Sequence, residues 1–141
     1  MESKSFPGVV DSLDELRAYV GELSQKAGLA KKATYSLKLA IDEIATNIIL
    51  YGYEKVGLVA DFKVLSEITD QELIVILEDE AAAFDPLARE IPDEEDLTMA
   101  LEDREIGGLG IFLTIKGVDD FSYEYVDGKN RNTFVMNVIK P

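Results

Sequence analysis

The sequence predicts a single α+β domain, a two-layer α/β sandwich in which helices cover one face of a mixed, mostly antiparallel sheet. Two segments before residue 51 carry apolar residues at helical spacing. Later runs show the alternating or continuous apolar patterns of strands, and turn residues arrange them as two hairpins. The 141 residues fit one domain that buries a core without disulfides or structural metals, so residues 1–141 are expected to form one unit.

The two helices have distinct boundaries. Ser12 and Glu15 form a capping-box pattern at the start of the first, and Gly28 marks its end. A short extended segment, Phe6 to Val10, precedes it. The second helix is expected from about Ala30 to Leu50, with a core stripe of Leu37, Ile41, Ile44 and Ile48.

The strands follow as pairs. The first hairpin is expected over Leu58–Leu65 and Glu72–Glu78, and the near-continuous apolar run Leu73–Leu77 indicates a strand covered on both faces. The second is expected over Phe121–Val126 and Thr133–Ile139, with its turn at residues 127–130.

Between the hairpins lies a strongly acidic segment. Residues 88–106 hold eight carboxylates against two arginines, and with Pro92 this composition favours a mobile loop. A helix is expected over Leu109–Lys116, after a glycine cluster and before Gly117.

Composition excludes several kinds of chemistry. The chain has no cysteine, which rules out disulfides, thiolate zinc sites and cysteine nucleophiles. It also has no histidine, so an imidazole base, a phosphohistidine and a histidine-ligated metal are excluded. The remaining chemistry must use carboxylates, amides, hydroxyls and the backbone.

The charge balance excludes two classes of partner. The formal net charge of −14 opposes nucleic-acid phosphates and anionic lipids, so neither direct nucleic-acid binding nor membrane binding is expected. No apolar run approaches a membrane-spanning length, and residues 1–4 lack the pattern of a signal peptide. We therefore expect a cytoplasmic protein.

Glu43 and Asn47 are the first candidate site residues. Their four-residue spacing places both side chains on one helix face. A carboxylate can act as a base toward a hydroxyl, and an amide oxygen suits magnesium. They could also be polar residues on a solvated helix flank. Because most of the helix is apolar, however, a buried amide or carboxylate would need a partner such as a metal-bound phosphate.

Two further features suggest a nucleotide site. Asp79 ends an apolar strand, where its carboxylate could accept a hydrogen bond from an exocyclic amine or could simply be a strand-end residue. Gly107, Gly108 and Gly110 precede a helix whose N-terminus could cradle phosphate, although glycines also serve plain turns. Neither a Walker loop nor a dinucleotide fingerprint is present.

In order, these pieces resemble a known superfamily. The chain is similar to the GHKL ATPases in the order of five features. These are a helix with Glu-x-x-x-Asn, a strand ending in Asp and followed by Phe84-Asp85-Pro86, an acidic segment, Gly-Gly-Leu-Gly-Ile and a closing strand pair. Within them, the chain most resembles the stand-alone anti-sigma-factor serine kinases of bacteria, from about Asp11 to Ile139. The resemblance implies the Bergerat-type ATP-binding fold, with residues 88–106 as an ATP lid.

The resemblance also implies roles for individual residues. Asn47 would hold Mg²⁺, Glu43 would act as general base or orient the attacking hydroxyl, and Asp79 would accept from the adenine amino group of ATP. Gly108 and Gly110 would contact the phosphates, Gly107 would be a hinge of the lid, and Arg104 would neutralise phosphate charge unless it is a solvated loop residue. The remaining nucleotide-binding positions would be Ala81, Phe84, Leu109 and Thr133.

The implied function is a Mg-ATP-dependent serine/threonine protein kinase. It would phosphorylate an anti-anti-sigma (STAS) partner and bind a sigma factor, commonly as a homodimer. An alternative is a protein-binding switch module that keeps the fold but has lost catalysis and sequesters a partner. An ATP-hydrolysing module of a larger machine is less favoured, because we do not expect a transducer domain after Pro141.

One position departs from the family pattern and motivates the alternative. The first glycine box of the family reads Asp-x-Gly, whereas Asp79-Glu80 is followed here by Ala81, Ala82 and Ala83. If position 81 needs a positive φ, alanine would cost about 1–2 kcal/mol, roughly tenfold in affinity. A methyl group projecting into the adenine pocket could cost more.

Overall fold

The computed structural model describes residues 1–86 and 115–138. Two helices and five strands form the frame of these ranges. In chain order the elements are β1 (Glu2–Pro7), a 3-10 turn (Val10–Ser12), α1 (Leu13–Ala27), α2 (Lys31–Asn47), a π-helix (Ile48–Glu54), β2 (Asp61–Ile68), β3 (Glu72–Asp79), β4 (Asp120–Val126) and β5 (Lys129–Asn137). The expected lid at 88–106 and most of the expected helix at 109–116 lie outside the described residues.

The strands form one sheet in the order β1-β2-β3-β5-β4. Every pairing among them is antiparallel, so the mixed component expected from the sequence does not occur within the described strands. The central strand is β3, and its inner side chains are buried. The cover on both faces that its apolar run predicts is not confirmed, because both described helices lie on one side of the sheet. Its register with β5 sets Asp79 opposite Asn130 and Leu77 opposite Asn132.

The sheet has an inner face, packed against α1 and α2, and an opposite outer face. Because strand side chains alternate, the inner row of β3 is Leu73, Val75, Leu77 and Asp79, all buried. The helices bury their apolar stripes on the inner face, α1 against β2 and β3 and α2 against β5, through residues such as Leu16, Val20, Leu37 and Ile41. This arrangement confirms the α+β class with both helices on one side of the sheet.

The ends of the helices agree only in part with the sequence prediction. Gly28 adopts the left-handed conformation, with φ of 78°, and ends α1 as expected. The capping box is wrong, because the Ser12 hydroxyl donates to the Pro7 carbonyl (2.7 Å) instead of capping the helix. The second helix ends at Asn47 and continues as the π-helix to Glu54, beyond the expected end at Leu50.

Some strand boundaries differ from the expected ones. The first strand is Glu2–Pro7 and not Phe6–Val10, and β2 is shifted toward the C-terminus. At the last hairpin both Asp127 (φ 54°) and Gly128 (φ 76°) have positive φ, as a two-residue turn requires. The turn is therefore tighter than predicted, and β5 already begins at Lys129.

A close approach ties the π-helix to the sheet. The Tyr53 ring packs closely against Gly8. A Cβ added to Gly8 would lie only 2.2 Å from a ring carbon of Tyr53. The Tyr53 hydroxyl donates to the Asp61 carbonyl (3.1 Å) and accepts from the Glu80 N–H (3.2 Å). Burial raises the pKa of Tyr53 to about 12, so the hydroxyl stays neutral. Within the described residues, no helix has the length and apolar character needed to cross a membrane.

Candidate nucleotide-binding site

A cavity of about 680 Å³ opens between the C-terminal end of α2, the end of β3 and the start of β5. This volume lies within the range of roughly 300–1,000 Å³ typical of small-molecule sites. The helix side contributes Ile44, Asn47 and π-helix residues, and the sheet side contributes Asp79, Asn130 and Asn132. Residues 81–84 form the edge between the two sides.

The helix side of the cavity changes its hydrogen-bonding pattern at the site. After Asn47 the backbone widens into the π-helix, whose end has bonds across five residues, such as Lys55 N–H to Leu50 C=O (2.9 Å). Such segments occur frequently at functional sites. Here the π-helix brings Tyr51 and Gly52 onto the cavity wall one turn beyond Asn47.

Asp79 is a buried carboxylate on the sheet side, with 2% of its surface exposed. Its Oδ1 accepts from Asn130 Nδ2 (2.9 Å) and from the Ala81 N–H (3.0 Å). Burial raises the pKa of Asp79, and these two hydrogen bonds oppose the rise. Both bonds end on Oδ1, so Asp79 is held in one orientation at the cavity wall.

Asn130 organises this side of the cavity. Its Nδ2 donates to Asp79 and to the carbonyls of Ala81 and Ala82 (both 3.1 Å). Its Oδ1 accepts from the Phe84 N–H (3.0 Å) and from the Tyr123 hydroxyl. One side chain thus ties the end of β3 to the chain that follows it.

Asn132, two residues further on β5, presents an unsatisfied acceptor. Only 2% of the residue is exposed, it lines the cavity, and its Oδ1 has no hydrogen-bond partner within the described structure. Buried polar atoms are nearly always paired, so a bound ligand or water would supply the missing donor.

The structure removes one of the two concerns about Ala81, the strain of a positive φ; Ala81 still lines the cavity, so the effect of its methyl group on nucleotide binding stays a prediction. Among the described residues other than glycine, Asp127 alone has a positive φ, so Ala81 lies outside the left-handed region and the expected strain does not arise. Ala81 is 6% exposed, and its methyl group faces Gly52. A Cβ added to Gly52 would lie 2.8 Å from the Ala81 methyl carbon. The methyl group is accommodated because residue 52 has no side chain.

The structure brings together some of the predicted site residues and not others. Asn47, Asp79, Ala81 and Phe84 line the cavity. Thr133 does not, because its register partners Ile76 and Ser122 belong to the outer row of the sheet, and Asn132 occupies the inner position beside it. Arg104, Gly107, Gly108, Leu109 and Gly110 lie outside the described residues.

Glu43 lies one helical turn before Asn47, partly buried, and is not among the residues that line the cavity. Burial, followed by the neighbouring charge of Asp42, raises the pKa of Glu43. A carboxylate with a raised pKa binds a proton more readily, as a general base must.

Sequence reasoning missed Asn130 and Asn132 as site residues, although a signal was present. From residue 130 the inner row of β5 reads Asn130, Asn132, Phe134, Met136, so two polar residues precede two apolar ones on a buried face. Once β5 is known to begin at Lys129, this pattern marks two buried polar positions beside Asp79.

The comparisons with known proteins agree with this geometry. The family model described as a histidine kinase-like ATPase domain matches residues 6–137. The fold is similar to that of the Acinetobacter baumannii histidine kinase AdeS, with a TM-score of 0.51 and 14% identity over 99% of this chain and 70% of that one. At this identity the likeness concerns the fold alone. The comparison with curated proteins finds no match.

Proposed function

We infer a function from the premise that this chain belongs to the family of histidine kinase-like ATPase domains. We propose that it is a Mg-ATP-dependent serine/threonine protein kinase of the anti-sigma factor type. Its protein substrate would be an anti-anti-sigma (STAS) partner, and it would also bind a sigma factor, as a homodimer in the cytoplasm. The observation that carries the proposal is that Asp79 and Asn47, from distant parts of the chain, line one cavity.

The residues of the cavity fit a purine nucleotide. Asp79 supplies a fixed, buried acceptor for an exocyclic amine, and the free Oδ1 of Asn132 supplies a second acceptor nearby on the same wall. Ile44, Ile48 and Ala81 give the apolar surface against which a base can pack. The family assignment and these groups together support ATP as the ligand.

The donor set also fits Mg²⁺ held mainly by phosphate. Within residues 1–86 and 115–138, no cluster of three acidic side chains could hold a metal by itself. Magnesium commonly takes only one or two protein ligands and completes its shell with water and substrate phosphates. Asn47 would be such a ligand, and the bound ion would offset the charge of the phosphates.

Glu43 would handle the proton of the acceptor. In the transfer, the hydroxyl oxygen of a serine or threonine forms a bond to the γ-phosphorus, and the bond from that phosphorus to the β,γ-bridging oxygen breaks. ADP departs, and the hydroxyl proton passes to the Glu43 carboxylate. The raised pKa of Glu43 favours this acceptance. A hydroxyl acceptor also accords with a chain that has no histidine of its own to phosphorylate.

Calorimetry with ATP, ADP and Mg²⁺ tests the nucleotide site, and transfer of labelled γ-phosphate to STAS-domain proteins of the same organism tests the kinase activity. We expect Glu43→Gln to bind Mg-ATP like the wild type and to lose transfer. The absence of both binding heat and a thermal shift at millimolar Mg-ATP would contradict the proposal. Tight partner binding without transfer would instead support the inactive switch module.

A further inference from the structure

The N-terminal half of α2 exposes two large apolar side chains to solvent. Tyr35 is 64% exposed and Leu39 is 42% exposed, and their four-residue spacing makes them neighbours on the helix surface. The buried stripe of the same helix, which includes Leu37 and Ile41, faces the sheet. This pair is therefore not part of the core.

The same region is positively charged in a strongly acidic chain. Residues 23–41 contain four lysines and no carboxylate, whereas the whole chain has 28 carboxylates and a net charge of −14. Among the described residues, no ion pair involves Lys31 or Lys32. Arg17 on α1 differs, because Asp14 (2.7 Å) and Asp42 (2.8 Å) already neutralise it.

The exposed pair lies in line with the proposed base. Lys32, Tyr35, Leu39 and Glu43 follow one another at intervals of three, four and four residues, which places them along one side of α2. With a rise of 1.5 Å per residue, this row is about 16 Å long. It ends at Glu43, one turn before Asn47 and the cavity.

We propose that Lys31, Lys32, Tyr35 and Leu39, termed the α2 docking surface, bind the protein that accepts the phosphoryl group. The inference rests on the kinase function proposed above. The partner would carry carboxylates that face the two lysines and an apolar side chain that packs on Tyr35 and Leu39. Bound in this way, its serine or threonine hydroxyl lies at the end of the row, beside Glu43.

The position of the surface beside Glu43, together with its positive charge, favours an acidic phosphoryl acceptor as the occupant; charge alone would also suit a second copy of this acidic chain. The surface concentrates cations on a molecule that is acidic elsewhere, so it selects carboxylate-rich surfaces and accelerates their approach. A second copy has no need to reach Glu43, whereas a phosphoryl acceptor must. The experiment below distinguishes binding of a second copy from binding of a phosphoryl acceptor.

The test uses ¹⁵N-labelled protein with Mg-ADP and two synthetic serine peptides of equal length, one flanked by Asp, Glu and Leu, the other by Lys and Leu. We expect only the acidic peptide to shift amide resonances of residues 31–43. In the double variant Lys31→Glu with Lys32→Glu, its affinity falls about tenfold, since two attractive contacts become repulsive. Lys63→Glu, which reverses the charge of one lysine on the outer face of the sheet, leaves the affinity unchanged.

Each outcome bears on one proposal. Shifts elsewhere, no shifts, or an affinity that the double variant does not alter would overturn the α2 docking surface. Loss of self-association in the double variant, measured by sedimentation, would assign this face to a second copy and overturn it as well. If the acidic peptide binds as expected while no protein acceptor receives labelled phosphate, the surface stands as a binding site for an acidic partner, and the kinase function fails together with the acceptor role of that partner.

Discussion

On the sheet side of the cavity, Asn130 makes five hydrogen bonds, four to Asp79 and the chain after it and one to Tyr123. On the helix side, the Asn47 side chain makes no hydrogen bond within the described ranges. The sheet side is also buried, while Asn47 is only partly so. The protein itself therefore orients Asp79, whereas in the proposed complex the ligand would supply the partners of Asn47.

This contrast corresponds to two roles within the proposed site, recognition of the base on the sheet side and binding of phosphate and Mg²⁺ on the helix side. Recognition of a base needs acceptors held in fixed positions, because reorientation on binding reduces affinity. Binding of phosphate and Mg²⁺ depends on groups that the ligand itself brings. Substitutions on the sheet side should consequently reduce folding stability, and those on the helix side should reduce nucleotide binding.

The largest effect is expected for Asn130→Ala. It removes five hydrogen bonds and leaves buried polar groups without partners, which should lower the free energy of unfolding by about 2–4 kcal/mol. Denaturant unfolding of the nucleotide-free protein measures this. Asn137→Ala, an exposed position on the same strand, is the matched control and should change stability by less than about 0.5 kcal/mol. Equal effects of the two variants would refute the contrast between the two sides of the cavity.

The fold was largely predictable because its signals are local. Apolar periodicity in α1 and α2, the left-handed glycine at Gly28 and the turn at Asp127-Gly128 each depend on a few adjacent residues. The π-helix was not predictable in this way, since its residues read as a continued α-helix. It forms where Tyr53 packs against Gly8, a contact between residues far apart in the sequence.

The candidate site was predictable only where one element defines it. Asn47 and Asp79 stood out because each is polar within an apolar element, and both line the cavity. Asn130 was read as part of a turn because its role depends on strand register, and the assignment of Thr133 by resemblance placed it one residue out of phase. A shift of one residue moves a side chain to the other face of a sheet.

The second prediction concerns the contact between the two sides. Gly52→Ala should destabilise the protein by about 1–3 kcal/mol, because the new Cβ would lie 2.8 Å from the Ala81 methyl group. Adding Ala81→Gly should restore most of this loss, which a double-mutant cycle of unfolding free energies measures. Gly21→Ala is the control. Its new Cβ meets only the flexible end of Lys38, so helix propensity should make it neutral or stabilising.

The third prediction addresses the helix side. Asn47→Ala should weaken Mg-ATP binding by at least about tenfold in calorimetry, and should change the stability of the nucleotide-free protein by less than about 0.5 kcal/mol. The reason is that the Asn47 amide contributes mainly to the ligand complex. If this variant unfolds as readily as Asn130→Ala without nucleotide, the helix side is preorganised too and the contrast disappears.

The smallest effect is the pH dependence that Asp79 introduces. Because burial raises its pKa above the usual 3.8, the native state binds this proton more tightly than the unfolded state does. The contribution of Asp79 to stability is thus complete below about pH 3.8 and is lost as the pH rises through the folded-state pKa. Unfolding of the wild type and Asp79→Asn across this window should show the wild type losing stability relative to the variant as the pH rises. The difference in unfolding free energy between the two proteins could instead stay constant with pH. The hydrogen bonds from Asn130 and Ala81 would then fully offset the effect of burial on the pKa of Asp79, and the sheet side would hold an ordinary carboxylate.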